Sequence, residues 1–101
     1  MKVIFQMEER FGSFLSNGEV ANAFRFTEVE PALSRGDEIV FNFEGVTNMT
    51  SSFCNALVAT LMAHHQSEFN SRVSFRNCTG LVKDFIVAAM ALGRREAREL
   101  A

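Results

Sequence analysis

Glu38-Ile39-Val40-Phe41-Asn42-Phe43-Glu44-Gly45-Val46-Thr47-Asn48-Met49-Thr50-Ser51-Ser52-Phe53 is the stretch that decides the fold. Its first six residues form a nearly continuous apolar run of strand-forming types, which predicts a central, buried strand. Its last residues set two serines directly before Phe53-Cys54-Asn55-Ala56-Leu57-Val58-Ala59-Thr60-Leu61-Met62. That segment reads as an apolar helix: Phe53, Leu57 and Leu61 face one way, and Cys54, Val58 and Met62 only about 100° round. Four amides at such a helix start lack intrahelical partners, and Ser51 or Ser52 is expected to cap one of them.

Working outward from this core, Lys2–Gln6 reads as a short first strand entering a polar turn at Glu8, Glu9 and Arg10. Phe11–Phe14 reads as a second short strand or a bend. Ser16-Asn17-Gly18-Glu19 has capping-box spacing, so a helix should begin near Gly18, with Val20, Ala23 and Phe24 on its apolar stripe. Val29 and Leu33 continue that stripe after a break, and Pro31 suits the first turn of a second short helix. Arg35-Gly36-Asp37 closes the segment. Downstream, Arg72-Val73-Ser74-Phe75-Arg76 alternates like a strand buried on one face, near the sheet edge. Asn77–Gly80 then turns into a last helix with Leu81, Val82, Phe85, Ile86, Ala89 and Leu92 inward, which either ends at Gly93 or runs on to Leu100. Strands alternating with helices predict crossover connections. The expected architecture is α/β: one domain over residues 1–101, with a mixed or parallel sheet of about four strands and helices packed mainly on one side.

Composition narrows the function. The 101 residues suffice for one core, and 48% hydrophobic with 22% charged is the balance of a folded domain. Eleven phenylalanines with no tyrosine or tryptophan supply rings that need no buried hydrogen-bond partner. A formal charge of −2 lacks the basic footprint of phosphate-backbone binding, so no nucleic-acid partner is expected. No apolar run is long enough for a membrane span and the N-terminus does not read as a leader, so a cytoplasmic protein with reduced thiols at Cys54 and Cys78 is expected. Adjacent His64 and His65 diverge by about 100° on a helix, which is poor metal-ligand geometry. No nucleophile–base pair, phosphate loop or metal motif can be assembled. The expectation is therefore no enzyme activity and no cofactor.

The quoted stretch resembles the central motif of the STAS-like domains of unknown function. Phe11-Gly12, the long apolar helix after Ser52 and the strand-turn-helix from Val73 to Ile86 extend the resemblance over most of the chain. Those domains are similar in turn to the STAS domains of bacterial anti-sigma-factor antagonists. The resemblance implies a sheet with helices on one side and a serine at a helix N-terminus, phosphorylated by an anti-sigma-factor kinase to control partner choice. An antagonist motif of Asp-Ser-Ser-Gly type falls on Thr50-Ser51-Ser52-Phe53, which puts the phosphorylation candidate at Ser52, with Ser51 beside it. Thr50 stands in place of the acidic residue and Phe53 in place of the glycine.

The resulting expectation is a bacterial protein-interaction module using Met49, Thr50, Ser51, Ser52 and Asn55, with Asn77 and Thr79 from the later loop. The resemblance implies a histidine-kinase-like, anti-sigma-type ATPase as partner. The alternative is a constitutive assembly or homodimerisation module in which Ser51 and Ser52 act only as helix caps, with Val87, Met90 and Ala91 on the last helix supplying the dimer face.

Overall fold

In the computed structural model, which describes residues 1–100, Phe41 lies at the centre of the sheet and of the core. The strands are β1 (Lys2–Gln6), β2 (Phe14–Leu15), β3 (Glu38–Asn42), β4 (Asn48–Met49) and β5 (Val73–Arg76). The expected sheet of about four strands is instead a three-stranded parallel sheet in the order β1-β3-β5, plus a separate two-residue parallel pair, β2 with β4. Of the short strand or bend expected at Phe11–Phe14 only Phe14 is in a strand, and β2 pairs with β4, which was not expected as a strand, and not with the main sheet.

Register explains why the phenylalanines are where they are. Phe5, Phe41 and Phe75 are partners across the three strands. Phe41 stacks on Phe5 and Phe75 with centroids 5.8 and 5.6 Å apart, and Phe24 meets Phe5 edge-on at 5.0 Å. Offset stacking and edge contacts are the favourable arrangements of aromatic quadrupoles. The next row on this face, Val3-Ile39-Val73, continues the core. The opposite face carries Lys2, Ile4 and Gln6 from β1 and Ser74 and Arg76 from β5, all exposed, flanking the buried Val40 of the central strand. The layered α/β expectation of helices mainly on one side therefore matches the burial pattern.

The helices are α1 (Met7–Phe11), α2 (18–34), α3 (51–64), α4 (Gln66–Arg72) and α5 (Gly80–Leu100). Two of them contain a π-turn: Arg25–Val29 within α2 and Asn55–Ala59 within α3. The polar turn expected at residues 8–10 is the short helix α1. The break expected before Pro31 is the π-turn, and Pro31 sits in the first turn of the α segment that follows. A proline has no N–H and crowds the carbonyl four residues back, which a widened turn accommodates. Gly36, at φ 89°, ends α2 with its N–H on Leu33 O and the Asp37 N–H on Ala32 O. This paired closure needs the left-handed conformation open to glycine.

The last helix does not stop at Gly93. It continues to Leu100, because Gly93 is buried where α5 crosses α3: a Cβ there would lie 2.5 Å from Ala59 O and 2.6 Å from Met62 Cβ. Leu81, expected inward, is exposed. No helix is long and apolar enough to cross a membrane among the described residues.

Candidate functional site

α3 begins where the chain leaves β4. Thr50 has extended backbone (φ −100°, ψ 158°), its Oγ1 accepts the Phe53 N–H at 3.2 Å, and its hydroxyl donates to Ser16 O at 3.1 Å. Thr50 is therefore the N-cap, which corrects the expectation that Ser51 or Ser52 fills that role. Both serines are exposed in the first turn, with hydroxyls released from capping. Phe53, in place of a motif glycine, is buried in the core and meets Phe11 at 5.5 Å.

Met49 is not part of this surface. It is 2% exposed, paired with Leu15 across β2 and β4, so its expected contact with a partner is corrected to a core role. Alternation along β4 turns Asn48 and Thr50 outward and Met49 in. Asn55 is half-buried at the start of the π-turn. Asn77 and Thr79 are exposed; Asn77 holds φ 58° and donates its side-chain amide to Asn42 Oδ1 at 2.8 Å, while Thr79 Oγ1 accepts the Val82 N–H at 3.2 Å. Because the main strands are parallel, α3 and α5 both start at the sheet end where β3 and β5 finish. α5 also packs against β4 and the first turn of α3.

A second helix start meets Ser52. Asn17, and not the expected Ser16, caps α2, its Oδ1 accepting the Glu19 and Val20 amides at 2.9 and 3.2 Å. Gly18 then lies so close to α3 that an added Cβ would be 2.3 Å from Ser52 Oγ and 3.1 Å from Ser52 O. The first turns of two helices, capped by Asn17 and Thr50, thus meet at the exposed residue Ser52. Next to it, Phe11, Phe14, Leu15, Asn17, Val20 and Phe53 line a shallow groove of about 160 Å³. Phe14 is 52% exposed and Val20 41%. Neither stood out in the sequence, where Phe14 reads as a strand or bend residue and Val20 as part of an inward stripe.

A polar cluster further along the same two helices also escaped sequence reasoning. Arg25 is 8% exposed; its Nε donates to Glu30 Oε2 at 2.7 Å, and its Nη1 donates to Asn22 Oδ1 and to the backbone carbonyl of Ala56. Ala56 O needs this donor because the N–H that normally serves it, that of Thr60, is turned to Asn55 O by the π-turn. Glu30 Oε1 lies 3.3 Å from His65 Nε2. Burial pushes the Glu30 carboxyl up, but hydrogen bonds from Arg25 and His65 outweigh it and hold it below its ordinary value. His64, exposed, points into a cleft with Leu92, Arg95 and Glu96, so the two histidines serve different surroundings. Burial pushes the Cys54 thiol up to about 12, with a further contribution from nearby Cys78. Both thiols are free, and Cys54 is buried and unreactive in its protonated form. Among the described residues no group of three His, Cys, Asp or Glu gathers as a metal site.

No curated protein and no solved structure matches the chain. Residues 21–83, from α2 through the first turn of α5, match the family model described as a STAS-like domain of unknown function, DUF4325. That span holds the central parallel strand, the Thr50-Ser51-Ser52 helix start and the Arg25 cluster, and the chain belongs to this family of STAS-like domains.

Proposed function

We propose that this chain is a non-enzymatic interaction module of a bacterial cytoplasmic signalling pathway, whose choice of protein partner is set by phosphorylation of Ser52. The observation that carries the reading is the division of labour at the start of α3: Thr50 caps the helix, and Ser52 is left exposed with its Oγ against Gly18 of α2. A phosphate there adds about −1.5 to −2 charge where the first turns of two helices meet, and the positive ends of helix dipoles favour an anion. The fold tolerates the charge. A partner seated on Ser51, Ser52, Asn55 and the exposed Phe14 and Val20 does not, because it must desolvate the phosphate or meet it with its own carboxylates.

The similarity of STAS-like domains to anti-sigma-factor antagonists supports a histidine-kinase-like ATPase as that partner. Thr50 and Phe53 depart from the antagonist motif, and both are committed to structure, one as cap and one as core. A kinase would therefore recognise the serines through Gly18, Asn17 and the Phe14 groove and not through an acidic residue before them.

Affinity purification with mass spectrometry from the native cell, comparing wild type with Ser52→Ala and Ser52→Asp, tests this directly. Phosphate on Ser52, with a kinase-like partner retained by Ser52→Ala and lost by Ser52→Asp, is the expected result. Unmodified serines under every condition, with identical partners for all three forms, would overturn it.

A further inference from the structure

The main sheet has two outer edges, and the chain treats them differently. Beside β1, the groove against α2 is lined by Arg10, Glu28 and Arg35 together with Val3 and Pro31. Arg10 makes a bidentate pair with Glu28 at 2.7 and 2.8 Å and lays its guanidinium 5.2 Å from the centres of Phe5 and Phe24. Charges set beside an edge are a recurrent means of keeping foreign strands away. Beside β5 the charges are of one sign, and among the described residues none is tied into an ion pair across the edge. A groove of about 340 Å³ between β5 and α5 is lined by Phe75, Cys78, Lys83, Ile86, Val87 and Met90. β5 pairs with β3 on one side and with no strand on the other among the described residues. Val87 is 54% exposed.

We infer that the groove between β5 and α5 docks an extended, acidic segment of a partner protein, which adds to β5 as a fourth strand. Unpaired backbone N–H and C=O groups along an edge are satisfied best by another backbone. Alternate side chains of the incoming strand then enter the apolar groove that Phe75 shares with Val87 and Met90.

 The charge preference comes from Lys83, which lines the groove, from Arg94, one turn beyond Met90, and from Arg76 on the other face of β5, beside which the outward side chains of an added strand would lie. All three are exposed and none has an ion-pair partner among the described residues. Asp84, the carboxylate next to Lys83 in the chain, projects about 100° round the helix from it. The same charges disfavour a second copy as occupant, since a two-fold pairing of α5 that sets Val87 against Met90 also sets Lys83 against Arg94.

This inference does not depend on the Ser52 reading, and its test separates the two. A random peptide library displayed on phage is panned against the folded protein, and the enriched peptides are synthesised and titrated by fluorescence anisotropy. Enriched sequences should alternate apolar residues within an acidic frame and bind more weakly as salt rises. Val87→Asp should weaken them by about tenfold or more and Lys83→Glu by several fold, with Ser52→Asp unchanged. Amide shifts in the NMR spectrum should centre on residues 73–78 and 83–90, and N-methylation of the peptide amides that face β5 should abolish binding. An unenriched library, enriched peptides without acidic residues, or equal binding by a Val87→Asp protein whose melting curve shows it folded would each overturn the proposal. So would shifts centred elsewhere, or self-association that Val87→Asp abolishes.

Discussion

Replacing Arg25 by methionine keeps most of the side chain's volume and removes its three polar contacts at once. The structure allows the cost to be worked out. Ala56 O loses its charged donor, and a hydrogen bond to a charged group contributes about 1.5–3 kcal/mol. Glu30 loses its 2.7 Å ion pair and keeps only His65, and breaking a buried pair costs about 3–5 kcal/mol. Glu30 retains 28% side-chain exposure, so water compensates part of that loss. The expected net destabilisation is about 3 kcal/mol, which for a domain of this size lowers Tm by about 12–24 °C. Thermal melts and urea titrations followed by circular dichroism measure it, with the urea slope unchanged if the unfolded state is unaffected. Adding Glu30→Gln to Arg25→Met removes the stranded carboxylate and should restore about 1 kcal/mol or more. A loss below about 1 kcal/mol, the range of an exposed pair, would refute the claim that Arg25 holds the two helices together.

Three other outcomes follow from the same geometry. Thr50→Ala should cost about 1 kcal/mol in a urea titration, whereas Ser51→Ala should stay within about 0.5 kcal/mol, since Thr50 is the cap. Gly93→Ala, which forces a methyl against Ala59 O and Met62, should destabilise by about 2 kcal/mol or more despite alanine's better helix propensity, read as a lower Tm. For pH, Glu30 has a folded value below its ordinary 4.5, so its contribution is present above 4.5 and is lost as pH falls through the folded value; Arg25→Met should shrink that acid-side loss in melts taken from pH 6 down.

What could be read from the chain, and what could not, divides along physical lines. The central strand was legible because Ile39, Val40 and Phe41 form an unbroken apolar run, and α3 because its apolar stripe is wide. β2 was legible only as a strand or bend ending at Phe14, and β4 not at all, because two-residue strands are too short to establish a hydrophobic pattern. That is also why Met49 read as a loop residue and not as core. Arg25 and Glu30 are five apart, a spacing that on an α-helix sets side chains about 140° from each other. Only the π-turn between them brings the two together, and turns of that kind leave little trace in composition. One signal was present: Arg25 falls four residues after Ala21 and four before Val29, in the middle of the buried stripe, where a charge demands a partner.

The contacts between α2 and α3 bear on how a modification at Ser52 would act. The helices are held at three levels: Gly18 against Ser52 at their starts, Arg25 on Ala56 O at the two π-turns, and Glu30 with His65 at their far ends. With the middle and far contacts made by a buried cation and a carboxylate held ionised, sliding one helix along the other would break both together. A phosphate on Ser52 therefore has one inexpensive response open to it. It would turn away from Gly18 into solvent beside the groove of Phe14 and Val20, and would change what that surface presents while α2 and α3 stay in place. If Ser52 is modified as proposed, the exposed groove and not a rearranged core would carry the signal, and Arg25→Met should loosen the helix pair without altering which partner an unmodified Ser52 admits.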